Sequence, residues 1–167
     1  AGSADGRYVA FSSEATNLVN GDTNNYRDIF VRDRDTDADG IFDEPGAVST
    51  VRVMGLNSQQ PNGDSWDVSI TADGRYIAFS SEANNLVAND YNTWKDVFVY
   101  DRSSTLVTRA SLTDRSLREA DAESDQPFIV NQGGLIWVAF RSYATNLVAP
   151  SVRRNTGTNI FIRTINS

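Results

Sequence analysis

The residues best suited to chemistry lie in one acidic stretch, "DTDADGIFDEPG", at positions 35–46. Its alternate carboxylates can converge on one hard cation, and Gly40 permits the sharp turn that such a loop needs. The pattern predicts a calcium site whose ligands are Asp35, Asp37 and Asp39, the backbone carbonyl of Ile41, and Asp43 and Glu44. The predicted role of Ca²⁺ is structural, because nothing in the stretch indicates a water activated for catalysis.

The loop differs from an EF-hand, since its twelfth position is Gly46 instead of Glu and we predict no flanking helices. It more closely resembles the shorter "DxDxDGxxD" loops of extracellular calcium modules, whose dissociation constants are on the order of 10⁻⁴ to 10⁻³ M. The alternative is a solvated hairpin tip held by Asx turns. Six acidic side chains between Asp33 and Glu44, with only Arg34 among them, repel one another without a cation. This repulsion favours the calcium interpretation.

The composition excludes several classes of function. The 167 residues are 40% hydrophobic and 10% aromatic, which is typical of one globular domain. The absence of histidine removes every Ser-His-Asp and Cys-His constellation, and the absence of cysteine removes disulfides and thiolate metal sites. A net charge of −7, with no basic run longer than Arg153-Arg154, argues against nucleic acid. No apolar run reaches transmembrane length, so we expect no membrane insertion.

One motif occurs three times along the chain. "DGRYVAFSSEATNLV" at 5–19 returns as "DGRYIAFSSEANNLV" at 73–87 and, more loosely, as "GGLIWVAFRSYATNLV" at 133–148. A second shared segment follows each copy: "DIFVRDR", "DVFVYDR" and "NIFIRT". The shared Ala-Phe pairs are 68 and 61 residues apart, a period that indicates a stacked or circular repeat architecture. The copies span approximately 1–64, 65–123 and 124–167.

Each copy is predicted to consist of short strands, because its apolar runs are β-branched and aromatic and are bounded by Gly, Asn, Asp and Ser. The middle copy shows four strands: "SWDVSIT", "RYIAFSS", "DVFVYDR" and "VTRAS". The first copy lacks the first of these and the third copy lacks the last, so about ten strands are expected. Four-stranded antiparallel repeats suit propeller blades. The predicted fold is all-β: one segment, 1–167, forming a partial β-propeller of about three blades, the first and last incomplete.

The repeated boxes resemble a known family of propeller repeats. The "ADGRYIAFSS" box, followed by "NLV" and "DVFVYDR", is similar to the PD40, or WD40-like, repeats found at the C-terminal end of TolB. The third copy departs from the pattern, with Gly133-Gly134 for Asp-Gly, Arg141 for a Ser, and Asn159 for the Asp before the third strand. The resemblance implies a propeller and a periplasmic or extracellular location. It implies no particular ligand, and most such domains are binding platforms.

Three incomplete blades do not close a ring, because closed propellers usually have about four to eight blades. Unfinished sheets present unpaired backbone edges that invite pairing with another chain. Two interpretations are open. The chain, which starts without Met, is a processed or cut segment of a larger ring, or it completes itself by assembling with further copies.

The loops between the second and third strands of each copy form a possible ligand face. Its candidate residues are Asn24, Tyr26, Asn92, Trp94 and Asn155. An aromatic ring beside amide and carboxylate side chains is typical of a site that stacks on sugars. The favoured alternative is that the polar residues cap turns and bond to the next blade, while the aromatic residues fill the gap between blades.

No residue is predicted to be catalytic. Glu14 and Glu82 repeat at equivalent positions, which indicates a scaffold role, and Trp66 and Trp137 are predicted to pack between blades. The leading hypothesis is a non-enzymatic binding or interaction scaffold, with protein or carbohydrate as possible ligand and calcium as its one cofactor. The alternative is an accessory or catalytic propeller of a carbohydrate-active or other hydrolytic enzyme, with its active residues outside this chain.

Overall fold

A computed structural model of the chain describes residues 1–114, 118–149 and 157–165. The described residues form ten strands, one 3₁₀ turn at Leu56–Ser58 and no α-helix. The strands are β1 Tyr8–Ser13, β2 Asp28–Asp33, β3 Ser49–Arg52, β4 Ser65–Ile70, β5 Tyr76–Ser81, β6 Asp96–Asp101, β7 Leu106–Arg109, β8 Ser124–Gln132, β9 Leu135–Ser142 and β10 Asn159–Ile165. The all-β prediction is therefore confirmed. Within these ranges, no helix has the length and apolar character needed to cross a bilayer.

The strands form three antiparallel sheets with orders β1-β2-β3, β4-β5-β6-β7 and β10-β9-β8. Three, four and three strands are the numbers that the sequence repeat predicts. Residues 1–3 partly occupy the place of the strand missing from the first sheet. Gly2 bridges to Val9, and the backbone N–H of Ala10 donates to the carbonyl of Ala1 at 2.8 Å.

The sheets stack face to face in series, and strand alternation decides which residues meet. Odd and even positions of a strand point to opposite faces. In the middle sheet, Ile77, Phe79 and Phe98 face the first sheet and contribute to one apolar core. Ala78, Val97 and Val99 face the third sheet and contribute to a second core. Burial on both faces explains why β5 and β6 are almost entirely buried.

One cross-strand pair of phenylalanines recurs in every sheet. The rings stack with centroids 5.8 Å apart in Phe11–Phe30 and Phe79–Phe98, and 5.9 Å apart in Phe140–Phe161. Such offset pairs stabilise a sheet beyond the area they bury, by about 0.5–1.5 kcal/mol. The recurring pair fixes the same register in the three copies.

Neither of the two tryptophans predicted to pack between blades is fully buried. Trp66 is half-buried, with the ammonium of Lys95 4.4 Å from its ring centroid. Trp137 is 38% exposed, so its assignment to the core is wrong. It lies on the face of the third sheet that points away from the middle sheet, opposite Val130 and Thr164.

The β4–β5 turn joins the first two sheets through Gly74. Its φ is +70°, and a Cβ built there would lie 2.3 Å from Cδ2 of Tyr8. We expect Gly74→Ala to lower the free energy of unfolding, measured by urea denaturation, by about 2–3 kcal/mol, from the left-handed backbone and the clash together. Gly134→Ala, at φ +80° with no atom within 4 Å, is the matched control and should cost about 1–2 kcal/mol. Equal losses would contradict the close contact with Tyr8.

Candidate metal centre and the loop face

The acidic stretch is an insertion in the β2–β3 hairpin. Arg52 lies opposite Phe30, and Arg109 lies opposite Phe98, so the two hairpins share a register although the first is 11 residues longer. The insertion folds back on itself: the backbone N–H of Asp43 donates to the carbonyl of Arg34 at 2.8 Å. The loop is therefore an ordered appendage at the end of the first sheet.

The insertion brings three of the predicted ligands together. Carboxylate oxygens of Asp35, Asp37 and Asp39 lie within 4.8 Å of one another. Asp35 is buried and fixed, because it accepts hydrogen bonds from the backbone N–H groups of Asp39 and Gly40 at 3.1 Å each. Gly40 has φ +88°, a conformation that glycine adopts without strain. Three oxygens that converge in this way suit a hard cation such as Ca²⁺.

The acidic loop places several negatively charged side chains close together. Partial desolvation, a hydrogen bond with Asp35 and the charge of Asp39 raise the pKa of Asp37. The negative charge of Asp39, followed by desolvation and the charges of Asp37 and Asp35, raises the pKa of Glu44. A carboxylate surrounded by carboxylates ionises less readily. A divalent cation at this position would relieve the repulsion.

The other predicted ligands lie apart from this trio. The Asp43 carboxylate pairs with Arg34 at 2.6 Å and with Arg32 at 3.6 Å, and the hydrogen bond from Arg34 lowers its pKa. Ile41 is 57% exposed, and its N–H donates to the Asp39 side chain at 2.8 Å. Glu44 is close enough for the trio to shift its pKa. The structure thus offers a three-carboxylate core for a cation, with Asp43 engaged elsewhere.

The two described asparagines of the possible ligand face, Asn24 and Asn92, make hydrogen bonds within the fold. The Asn24 amide donates to Asp28 at 3.0 Å and to the carbonyl of Pro61 at 2.9 Å, in the segment before β4. Asn92 makes the equivalent bonds to Asp96, at 3.3 Å, and to the carbonyl of Ala120, at 3.4 Å. These bonds support the alternative in which the asparagines tie each sheet to the next.

The two aromatic residues of the same loops are partly exposed. Tyr26 is 41% exposed and Trp94 is 46% exposed, so neither ring is fully enclosed between sheets. Trp94 lines a shallow hollow with Ala122 and Glu123, from the segment before β8, and with Tyr143, which follows β9. Asn155 lies outside the described residues.

Sequence reasoning missed two buried ion clusters, one in each hairpin. Arg109 Nη1 lies 3.0–3.1 Å from the carboxylates of Asp90, Asp96 and Glu119. Arg52 Nη1 contacts Asp22 at 2.6 Å and Asp28 at 3.1 Å. Burial raises the pKa of Asp90 to about 6. The available signal was the equal spacing of Asp22 and Asp28 in the first copy and Asp90 and Asp96 in the second.

A second set of ion pairs recurs at the opposite end of the sheets. Arg7 donates to both oxygens of Asp33 at 2.9 and 3.0 Å, and Arg75 to both oxygens of Asp101 at 3.0 and 2.9 Å. Glu14, one of the two repeated glutamates, pairs with Arg27. The Arg7–Asp33 and Arg75–Asp101 pairs, which recur between copies, join the start of one strand to the end of the next.

No protein-family model matches the chain, and no curated protein matches it significantly.

Proposed function

We propose that the chain is a non-enzymatic interaction scaffold made of propeller-type blades, with one hairpin ordered by calcium. The observation that carries this proposal is the serial stacking of three equivalent sheets. The middle sheet is covered on both faces by its neighbours, as a blade is in a propeller, whereas the outer sheets each keep one uncovered face. A scaffold of this kind offers surfaces rather than a reaction centre.

The polar contacts favour a scaffold over an enzyme. The aspartates that repeat between copies accept hydrogen bonds from arginine side chains, as in Asp33 with Arg7 and Asp101 with Arg75. Catalytic carboxylates need a free oxygen that reaches a substrate and a pKa matched to the reaction. The sequence contains no histidine that could share such a task.

The proposed location is periplasmic or extracellular. Two arguments support it. The repeats resemble those of extracytoplasmic propeller proteins, and the acidic loop is of a type whose calcium affinity, about 10⁻⁴ to 10⁻³ M, suits compartments rich in calcium.

Calcium binding is the direct test of the proposed hairpin. At about 10 mM Ca²⁺, a site of this affinity should stabilise the fold by about 1.4–2.7 kcal/mol, measured by urea denaturation with and without chelator. Asp37→Asn and Asp39→Asn should each weaken binding by about tenfold or more in calorimetric titrations, because each removes one of three converging charges.

Asp43→Asn is the matched control. It removes one acidic charge from the same loop, but that carboxylate is already paired with Arg34 and should leave calcium affinity within about twofold. A wild-type chain with no calcium-dependent heat or stabilisation would refute the calcium site. An Asp43→Asn variant as impaired as Asp37→Asn would show that the full six-ligand shell forms.

A further inference from the structure

The third sheet has an uncovered apolar face, termed here the trailing face. Its exposed side chains come from all three strands of that sheet: Phe128, Leu135, Trp137, Ile160 and Ile162. Ile160 is 70% exposed, Ile162 is 68% exposed and Phe128 is 64% exposed. Contiguous apolar side chains on one sheet face mark an interaction surface on a water-soluble fold.

The repeat shows what this face is built to contact. The middle-sheet residues equivalent to Trp137, Ile160 and Ile162 are Tyr76, Val97 and Val99, which stand at the same register positions in β5 and β6. Those three are at most 3% exposed, because the third sheet covers them. The first sheet repeats the arrangement, with Ile29 and Val31 covered by the middle sheet. The equivalent face of the first sheet is thus covered by the middle sheet, and that of the middle sheet is covered by the third sheet. On the third sheet the same face is exposed.

The first sheet has the complementary uncovered surface, termed here the leading face. Its accessible apolar side chains are Phe11, Ala15 and Leu18, which are half-buried or exposed, whereas Phe30, which stacks on Phe11, is buried. Their equivalents in the middle copy, Phe79, Ala83 and Leu86, are at most 2% exposed. Phe140, Ala144 and Leu147 of the third copy are likewise buried. The leading face is therefore the surface that a preceding trailing face would cover.

We propose that two copies of this chain associate head to tail, with the leading face of one copy packed on the trailing face of the other. This inference rests on the proposed function as an interaction scaffold, and it identifies a second copy of the chain as the partner. The contact would repeat an interface that the chain already forms twice internally, between the first and middle sheets and between the middle and third sheets. It is heterologous, so each added copy leaves one leading and one trailing face free, either to extend the assembly or to close a ring.

One substitution on each face tests the contributions of the two faces separately. Ile162→Arg places a charge on the trailing face and Leu18→Arg places one on the leading face, at side chains that are 68% and 37% exposed. Exposed positions of this kind tolerate substitution without loss of the fold, which circular dichroism would verify. Leu106→Arg, at a 66% exposed position on β7 outside both faces, is the matched control.

Light scattering from about 1 to about 200 µM protein, with calcium present, measures the outcome. We expect the wild type and Leu106→Arg to exceed the 18.4 kDa chain mass as concentration rises. Ile162→Arg and Leu18→Arg, each measured alone, should stay monomeric, because each substitution weakens the affinity of self-association about tenfold or more. An equimolar mixture of the two variants should form a 1:1 complex and stop there, because one variant retains an intact leading face and the other an intact trailing face.

Three results would overturn the proposal. A wild type that is monomeric at every concentration would show that a second copy does not cover the trailing face. A Leu18→Arg variant that associates like the wild type would show that two trailing faces pair with each other. A mixture that forms no complex would exclude the head-to-tail contact. In the first case, calcium binding by the monomeric wild type would show that the calcium-ordered hairpin stands although the association fails.

Discussion

Replacing Arg109 by methionine is expected to lower the free energy of unfolding by about 3–5 kcal/mol at neutral pH, because it leaves buried carboxylates without their counter-charge. The Arg109 side chain is 5% exposed and contacts Asp90, Asp96 and Glu119 through a single nitrogen. Asp96 is itself almost fully buried. Methionine fills much of the arginine volume, so the loss reports the charge and its hydrogen bonds more than a cavity.

The first hairpin supplies a matched control. Arg52→Met removes the equivalent guanidinium, but among the described residues only two carboxylates, those of Asp22 and Asp28, pair with it, so the expected loss is smaller than for Arg109→Met. Arg109→Lys keeps the charge and loses the planar fork that also donates to the carbonyl of Asn89 at 3.0 Å. It should therefore fall between wild type and Arg109→Met.

The pH dependence separates lost charge compensation from lost packing. Burial raises the pKa of Asp90 to about 6 and also raises the pKa of Asp96, so the folded state binds protons more tightly than the unfolded state does. This contribution to stability is fully present below the unfolded pKa near 3.8 and is lost as pH rises through the folded pKa. Removing Arg109 raises both folded pKa values further. Urea denaturation from pH 7.5 to about 5 should therefore show Arg109→Met regaining more stability than wild type. Parallel pH profiles would mean that Arg109 does not lower the pKa values of Asp90 and Asp96 in the folded state.

Patterns in the amino-acid sequence were sufficient to predict much of the fold. The strands, their number in each sheet and the acidic insertion follow from apolar alternation within each strand and from comparison of the repeated copies, neither of which requires knowledge of contacts between residues. The burial of Arg52 and Arg109 could not be predicted from these sequence patterns. Arginine is usually found at the surface, and the Arg52–Asp22 contact spans 30 residues and forms only once β3 and the β1–β2 loop meet.

The environments of Trp137 and Asp43 depend on neighbours that the sequence alone does not place. Trp137 has the aromatic character of an inter-sheet core residue, as its equivalent Tyr76 is, but burial of that face requires another sheet to cover it. Asp43 has the spacing of a calcium ligand, and the hairpin also places Arg34 beside it, so its carboxylate forms an ion pair. In both cases the type of residue was informative, and the neighbour that decides its role is set by the tertiary structure.

Substituting Phe98 by alanine is expected to lower the free energy of unfolding by about 3–5 kcal/mol, because it removes a large ring from the most enclosed part of the molecule. Phe98 is fully buried, stacks on Phe79 and packs in the core between the first and middle sheets. For a chain of this size the change corresponds to a fall in melting temperature of roughly 6–20 °C.

The repeat again supplies the control. Phe161→Ala removes the equivalent ring from the third sheet, where Phe161 is only partly buried against the core. Both rings face the preceding sheet and stack on an equivalent partner, Phe79 for Phe98 and Phe140 for Phe161. Strand β10 is the edge strand of its sheet, whereas β6 lies between β5 and β7, so the difference between the two losses reports how completely the ring is enclosed. We expect Phe161→Ala to cost about half as much, measured by urea denaturation at low protein concentration. Equal losses would show that the stacked pair, rather than enclosure between sheets, carries the stability of each blade.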